Sequence, residues 1–377
     1  MRPHSSITIG KVFGIPIGLD FSWFLIFALI TWMLATSYFP AEFHNWSTTV
    51  YWLVGAITSL LLFVSVMLHE LGHSVIALRY KIPVKSITLF IFGGVASIAS
   101  EPPSPVAEFW IALAGPIVSL ALAGIFRVIE PLSGSAAPIF ALAKYLAFIN
   151  FILVGFNIIP GFPLDGGRVF RAIVWGMTKN YRKATLIAAN TGRLIAFVFI
   201  LLGVWQILGG SFASGLWIAF IGWFLESAAN AQVQQQHVQD LLAGHTVSQA
   251  ISFNYTIIPE STTLGDLANQ RILGEGRRFL IVEDNENGDG KILGMVTPAE
   301  VAAVSREAWG YTRVSQVMIP QDRFHLVDAD DDLWKVMASM DQEGIRQVPV
   351  IKNGQVLGVL SHGGIIRYLK SLRQSQA

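Results

Sequence analysis

The segment His69-Glu70-Leu71-Gly72-His73 holds residue types that can build a metal site. On an α-helix, positions i and i+4 lie on one face, so both imidazoles can bind one ion while Glu70 projects beside it. Neutral imidazole suits zinc in a tetrahedral site that keeps one position for water, and Glu70 could accept the proton of that water. The segment therefore predicts zinc-assisted hydrolysis, against the alternative of a His/Glu cluster that only hydrogen-bonds between helices.

A third protein ligand has to come from elsewhere in the chain. The sequence contains no cysteine, and residues 1–230 contain only eight Asp and Glu residues. Among these, Asp165 follows an apolar run that two prolines interrupt, and it precedes two glycines. Such a segment lets a carboxylate approach a neighbouring helix closely. Asp165 could instead cap the helix that begins near Arg168, so the residues alone leave both interpretations open.

The composition places this segment in a membrane. Of the 377 residues, 53% are hydrophobic and only 14% are charged, and the mean hydropathy is +0.54. These values exclude a disordered chain and are unusual for a soluble enzyme. Residues 1–230 carry 13 Lys or Arg and 8 Asp or Glu, whereas residues 231–377 carry 13 and 17. We therefore expect a membrane domain followed by a soluble one, and the net charge of +1 argues against a nucleic-acid partner.

Uncharged runs predict six membrane spans, because a helix of about 20 apolar residues crosses about 30 Å of hydrocarbon. The spans are residues 21–41, 52–68 (continuing to about residue 78), 109–126, 145–164 and the two halves of 194–225, which a Gly-Gly-Ser turn divides. Lys and Arg cluster in alternate connections, which predicts a multi-pass integral membrane protein with both termini in the cytoplasm, and in the plasma membrane if the source is bacterial. Residues 86–100 form a short apolar stretch rich in β-branched residues and broken by two glycines, so we expect two strands there.

Together these features resemble the site-2 proteases, a family of intramembrane zinc metalloproteases. The resemblance covers residues 11–229. It rests on the His69-Glu70-Leu71-Gly72-His73 helix, on Ala114-Gly115-Pro116, and on the segment Asn157…Pro160…Leu164-Asp165-Gly166-Gly167.

The resemblance implies a role for each of five residues. It implies a zinc ion held by His69, His73 and Asp165, with Glu70 as the catalytic acid and base. The asparagine of the family's motif matches Asn157, which would donate a hydrogen bond to the oxyanion or to the substrate backbone.

The resemblance also implies a substrate. It implies cleavage within the transmembrane segment of a single-span membrane protein in the lipid bilayer, during regulated intramembrane proteolysis. Residues 7–16 and 84–100 resemble the family's membrane-associated sheet. An exposed edge of that sheet could pair with an unwound substrate by strand addition.

The soluble part contains an internal repeat. Val247-Ser248-Gln249 recurs as Val314-Ser315-Gln316, and residues 292–296 recur as residues 356–360. Each copy spans about sixty residues and predicts the order strand, helix, strand, strand, helix. The repeat resembles a pair of CBS domains over residues 241–373.

Pairs of CBS domains commonly bind adenine nucleotides between their two copies. The matching hydroxyl positions are Thr297 and Ser361. The carboxylate that usually holds the ribose is replaced by Glu300 in the first copy and by Gly364 in the second. Two alternatives therefore stay open, an adenine-nucleotide site or a purely structural module that dimerises the protein.

We therefore expect a membrane α-helical bundle of six transmembrane helices with a small membrane-associated β-sheet, followed by a soluble α/β CBS-domain pair. The predicted boundaries are residues 1–230 for the protease domain, 231–243 for a helical linker, and 244–308 and 309–373 for the two CBS copies. The predicted function is zinc-dependent intramembrane proteolysis regulated by the CBS pair. A nucleotide-gated transporter or channel is the alternative, because CBS pairs also occur on those proteins.

Overall fold

The computed structural model describes residues 7–91, 93–98, 100–134, 136–253, 255–269, 279–283, 292–296, 298–320, 323, 326–352 and 355–375. The chain divides into two compact units, Met1–Gln236 and His237–Ala377. Each unit has its own hydrophobic core and is described separately below.

The first unit combines a small sheet with long helices. Its elements are β1 (Ile7–Val12), β2 (Ile15–Leu19), α1 (Phe21–Met33), a π-helical turn (Leu34–Tyr38), α2 (Phe39–Glu42), α3 (Thr48–Arg79), β3 (Val84–Phe90), β4 (Gly93–Ile98), α4 (Pro105–Leu132), α5 (Ala137–Asn157), α6 (Asp165–Thr178), α7 (Tyr181–Leu208) and α8 (Phe212–Leu242). Within the described residues, six helical segments are long and apolar enough to cross a membrane. The six predicted spans are therefore confirmed, the first being α1 and α2 joined through the π-helical turn.

Several span boundaries differ from the prediction, and the sixth span extends to Leu242 rather than to residue 225. The fourth span covers Ala137–Asn157 rather than residues 145–164, and the fifth begins at Tyr181 rather than at residue 194. Both helices include charged residues near one end, which the search for uncharged runs had excluded. Inside α5, Lys144 forms an ion pair with Glu42, so its charge does not end the helix.

The predicted strands form a four-stranded sheet in the order β1-β2-β3-β4. β1 pairs with β2 and β3 with β4 in antiparallel fashion, whereas β2 and β3 are parallel. The buried face of β2 packs Ile15 and Ile17 against Leu71 of α3 and Ile87 of β3. The sheet therefore lies directly against the helix that carries the two histidines.

The second unit contains the predicted repeat. Its elements are a 3₁₀ turn (Val247–Gln249), β5 (Tyr255–Pro259), α9 (Leu264–Asn269), β6 (Phe279–Glu283), β7 (Ile292–Val296), α10 (Pro298–Ala302), a second 3₁₀ turn (Arg306–Ala308), α11 (Val314–Val317), β8 (Ile319–Pro320), β9 (Val327–Asp328), α12 (Leu333–Glu343), β10 (Gln347–Lys352), β11 (Gln355–Ser361) and α13 (His362–Ser375). Both copies follow the predicted order strand, helix, strand, strand, helix. They build one sheet each, β5-β6-β7-β8 and β11-β10-β9.

The two copies exchange the segments that precede them. Val247 and Ala250, which lead into the first copy, are buried in the core of the second copy. Val314, which leads into the second copy, is buried in the core of the first. The core of each copy therefore includes residues that precede the other copy in the sequence.

Candidate metal centre

The two histidines of α3 face one another inside the membrane unit. α3 begins after Ser47, whose Oγ accepts a hydrogen bond from the backbone N–H of Val50, and it continues without interruption to Arg79. The ring centres of His69 and His73 lie 4.9 Å apart, and each residue is 4% exposed. Helical spacing therefore places both imidazoles on one face, as the sequence predicts.

The carboxylate of Asp165 meets both imidazoles. Its Oδ2 atom lies 3.1 Å from Nε2 of His69 and 3.3 Å from Nε2 of His73. One ligand atom from each of the three residues His69, His73 and Asp165, called the trio below, lies within 4.8 Å of the other two. In the part of the chain that the structure describes, no other group of three or more His, Cys, Asp or Glu residues converges in this way.

The alternative role of Asp165 as a helix cap is not what the structure shows. Asp165 is the first residue of α6, and the N-cap residue, Leu164, makes no side-chain capping bond. The loop before α6 folds back tightly because Gly166 packs against the backbone of Ile158, where any Cβ atom would collide. From this loop the Asp165 carboxylate reaches the imidazoles of α3.

α4 supplies a hydrogen-bond partner for the second nitrogen of each imidazole. Nδ1 of His73 lies 2.7 Å from the carbonyl oxygen of Ile111, and Nδ1 of His69 lies 2.8 Å from Oγ of Ser119. Because a carbonyl can only accept, Nδ1 of His73 carries the proton and its Nε2 lone pair faces the centre of the trio. Ser119 was not among the predicted site residues, since nothing in the spacing of a lone serine links it to His69.

A glycine on the same helix makes room for the imidazoles. A Cβ atom at Gly115 would lie 2.6 Å from Nε2 of His69 and still closer to Nε2 of His73. Any side chain there would occupy the space in which the two nitrogens and the carboxylate converge. The position of Gly115 within Ala114-Gly115-Pro116 thus has a steric reason.

The side chain of Glu70 projects from α3 towards the sheet. A Cβ atom added to Gly94 of β4 would come within 2.7 Å of Cγ of Glu70, so the Glu70 side chain rests directly on the backbone of that strand. β4 is the last strand in the described sheet order. The carboxylate predicted to move protons is therefore adjacent to a strand that could receive an extended peptide.

The two asparagines of α5 differ in their surroundings. Asn157 is the last residue of α5, is half-buried, and has no hydrogen-bond partner for its side chain within the described residues. Asn150 is buried, and its Nδ2 donates to the carbonyl oxygen of Leu146 at 2.8 Å and to Oγ of Ser65 at 3.3 Å. Asn157 is thus the one with an uncommitted amide.

The predicted nucleotide contacts lie in the second unit. Ser361 ends β11, and its Oγ accepts a hydrogen bond from the backbone N–H of Gly364, so it caps the start of α13. Glu300 lies on α10. Thr297 lies outside the described residues.

The trio fits a zinc ion by the chemistry of its donors. Two neutral imidazoles and one carboxylate are a donor set that catalytic zinc sites use, and a fourth position is left for water. Both Nδ1 atoms have hydrogen-bond partners, so both Nε2 atoms are directed at the point where the Asp165 carboxylate arrives. Without an ion, two imidazoles and a carboxylate are a costly group to bury beneath a membrane surface.

Comparisons with known proteins identify the family of this chain. The model of peptidase family M50 matches residues 57–134 and 122–201, and the CBS domain model matches residues 314–371. Two relatives named as zinc metalloproteases align over nearly the whole chain. These are sll0528 of Synechocystis sp. strain PCC 6803, 36% identical over 98% of this chain and 96% of that protein, and Rip3 of Mycobacterium tuberculosis, 33% identical over 99% and 95%.

A solved structure, the site-2 protease from Methanocaldococcus jannaschii, is 30% identical and covers 60% of this chain and 95% of that chain, with a TM-score of 0.42. The full-length similarity to the two zinc metalloproteases decides the classification. This chain belongs to peptidase family M50 and is a multi-pass intramembrane zinc metalloprotease of the site-2 protease type that carries a C-terminal CBS domain.

Proposed function

We propose that His69, His73 and Asp165 hold the zinc ion of this protease and that Glu70 is its general acid and base. The observation that carries the proposal is the convergence of Oδ2 of Asp165 on both Nε2 atoms, at 3.1 and 3.3 Å. Two of these residues follow one another on a single helix turn, whereas the third comes from 96 residues further along the chain. A role shared by all three is the simplest reason for such an arrangement.

The zinc ion and the side chains have different roles in the reaction. Zinc in such a site acts as a Lewis acid that makes water a nucleophile near neutral pH. Glu70 accepts the proton of the attacking water and passes it to the nitrogen of the leaving amine. Ile111 and Ser119 hydrogen-bond to the Nδ1 atoms of the two imidazoles, which leaves both Nε2 atoms for the ion, and the amide of Asn157 stabilises the oxyanion or holds the substrate backbone.

The substrate is the transmembrane segment of a single-span membrane protein. A helix hides its peptide bonds in its own hydrogen bonds, so it has to unwind locally before one of them can be cut. The unwound segment would regain backbone hydrogen bonds by pairing with β4, beside Glu70. β4 supports this role because only its pairing with β3 is present among the described residues.

The decisive experiment separates metal retention from turnover. Glu70→Gln should keep zinc in the purified protein and abolish cleavage of a single-span substrate, whereas His69→Ala and Asp165→Ala should lose both. Ser59→Ala, a buried position on α3 that lies outside the trio, is the matched control and should keep both. Full cleavage by Glu70→Gln would disprove the assignment, and zinc retention in Asp165→Ala would remove Asp165 from the ligand set.

For the second unit we propose an adenine nucleotide that regulates the protease. Glu300 would hold the ribose, and the hydroxyl groups of Thr297 and Ser361 would bind polar groups of the nucleotide. Ser361 can do this while it caps α13, because its oxygen accepts from Gly364 and its proton is still available to donate. Titration calorimetry of the purified protein with AMP, ADP and ATP tests this, and Glu300→Ala should weaken the binding. Binding that is unchanged in Glu300→Ala would contradict the assignment.

The remaining organisation is proposed on the same basis. We place the protease domain at residues 1–230, a helical linker at 231–243, and CBS copies at 244–308 and 309–373, with a homodimer formed through the CBS copies.

The distribution of Lys and Arg favours both termini in the cytoplasm, and in a bacterium the plasma membrane. Cysteine labelling from either side of the membrane, in this cysteine-free chain, tests the topology.

A further inference from the structure

A buried ion pair joins the helix that orients the histidines to the helix that carries Asp165. Oε1 of Glu108 on α4 accepts a hydrogen bond of 2.7 Å from Nε of Arg171 on α6, and a second one from Nη2 of the same guanidinium. Glu108 is 0% exposed and Arg171 is 5% exposed. Two donors on one carboxylate oxygen hold the two side chains at a short, charge-assisted hydrogen-bond distance.

The guanidinium of Arg171 is also held between two aromatic rings. Its central carbon lies 4.9 Å from the ring centre of Phe162 and 4.7 Å from that of Tyr181. Phe162 belongs to the loop that leads into Asp165, and Tyr181 is the first residue of α7. The Arg171 side chain therefore contacts the loop before Asp165 as well as α4 and α7.

Glu108 lies close in sequence to Ile111, and Arg171 lies close in sequence to Asp165. Glu108 is one helical turn before Ile111, whose carbonyl oxygen holds the ring of His73. Arg171 is six residues after Asp165, on the same uninterrupted helix. A change in the separation of Glu108 and Arg171 would therefore move the Asp165 carboxylate relative to the imidazoles.

The energetics of this pair favour a role in geometry over a role in stability. Removing two charges from water costs several kcal/mol per ion, which the attraction between them offsets only with excellent geometry. Oε2 of Glu108 has no hydrogen-bond partner among the described residues, so the carboxylate is only half satisfied. An apolar contact of the same volume would stabilise the fold at least as well.

We infer that the Glu108–Arg171 ion pair is a positioning device that sets the distance between the Asp165 carboxylate and the two imidazoles. The inference rests on the proposed function, because it takes these three residues as the zinc ligands. The pair acts through Ile111 on one side and through α6 on the other, and among the described residues neither of its members hydrogen-bonds to the trio.

The test compares the pair with a second ion pair on the same helix. Glu108→Gln keeps the shape and removes the charge, and Arg171→Lys keeps the charge but cannot make two bonds in the guanidinium geometry. Glu130→Gln is the matched control, because Glu130 is also mostly buried on α4 and pairs with Arg127. Zinc affinity is measured by competition with a chelator on purified folded protein, alongside kcat, KM and thermal stability.

Glu108→Gln and Arg171→Lys should weaken zinc binding by about tenfold or more and lower kcat with little change in KM. Glu130→Gln should leave zinc affinity, kcat and KM unchanged. The double variant Glu108→Gln/Arg171→Lys should lose no more affinity than the single variants, because the pair acts as a unit. Pair variants that lose thermal stability but keep wild-type zinc affinity and kcat would overturn the inference.

The outcome also distinguishes this inference from the proposed function. If His69→Ala and Asp165→Ala lose zinc while Glu108→Gln keeps wild-type affinity, the ligand assignment stands and the positioning role is wrong. If His69→Ala and Asp165→Ala keep zinc, the ligand assignment is wrong and the inference falls with it.

Discussion

Oγ of Ser119 lies 2.8 Å from Nδ1 of His69, across the interface between α4 and α3. This contact sets which nitrogen of His69 is free to face Asp165. Such outer hydrogen bonds orient metal-binding imidazoles and raise their basicity. The relationship shows that α4 takes part in the site although it contributes none of the three proposed ligands.

The role of Ser119 leads to a first prediction. Ser119→Ala should weaken zinc binding by about 10- to 100-fold, because the Nδ1–H of His69 loses its acceptor and the ring loses its fixed orientation. Chelator competition on the purified protein measures the change. Ser59→Ala is the control, because Ser59 is fully buried on α3 and its Oγ has no partner among the described residues. Equal affinities in the two variants would contradict the prediction.

A second prediction concerns the space between the imidazoles. Gly115→Ala should eliminate measurable zinc binding and cleavage, since its Cβ would come within 2.6 Å of Nε2 of His69. Zinc content after purification and cleavage of a single-span substrate are the measurements. Gly124→Ala on the same helix has nothing within 4 Å of its added Cβ, so it should keep both and gain up to about 1 kcal/mol of helix stability. Normal zinc content in Gly115→Ala would show that the imidazoles do not converge there.

The contact between Gly94 and Glu70 gives a third prediction. Gly94→Ala should lower kcat by about 100-fold while zinc affinity stays within a few fold, because the new methyl group displaces Glu70 and leaves the three ligands in place. Steady-state cleavage and chelator competition measure the two effects separately. Gly10→Ala in β1 of the same sheet has an added Cβ with nothing within 4 Å, so it should retain wild-type kcat. A loss of zinc affinity in Gly94→Ala would instead place the strand against the ligands.

The exchange of the segments that precede the two CBS copies gives a fourth prediction. Val314→Ala should destabilise the second unit by roughly 2 kcal/mol, because Val314 is fully buried in the first copy although it precedes the second. Hydrogen exchange of the intact protein should then show faster exchange in both sheets, since the core of each copy contains residues of the segment that precedes the other copy. Ile366→Ala, at a half-exposed position on α13, should leave exchange unchanged. Faster exchange confined to β5, β6 and β7 would argue for two independent copies.

Local sequence rules correctly predict the features that a single segment of the chain determines. The i, i+4 spacing of His69 and His73 is a property of one helix, so the sequence predicts their common face correctly. Runs of apolar residues predict the six spans because hydrocarbon thickness sets their length. The ends of the spans were predicted less well, since Lys144 and its partner Glu42 allow a charge inside a helix.

Other parts of the site depend on contacts between distant segments. At the level of the residues, Asp165 could have been a cap or a ligand, and only the packing of the loop before α6 brings its carboxylate to the imidazoles. Ser119 and Glu108 are single polar residues in an apolar helix, and no spacing rule connects them with His69 or Arg171. Their roles become visible only when α3, α4 and α6 are seen together.

Three local features of this protein follow from its sequence alone: the shared helix face of the two histidines, the number of membrane spans and the repeat in the soluble part. Each of these is set by the period of a helix, the thickness of a bilayer or the similarity of two segments. The tertiary structure alone decided which carboxylate completes the trio, which groups orient the imidazoles, and which copy each lead-in segment joins. These depend on close packing between elements far apart in the chain, and short-range patterns do not specify such packing.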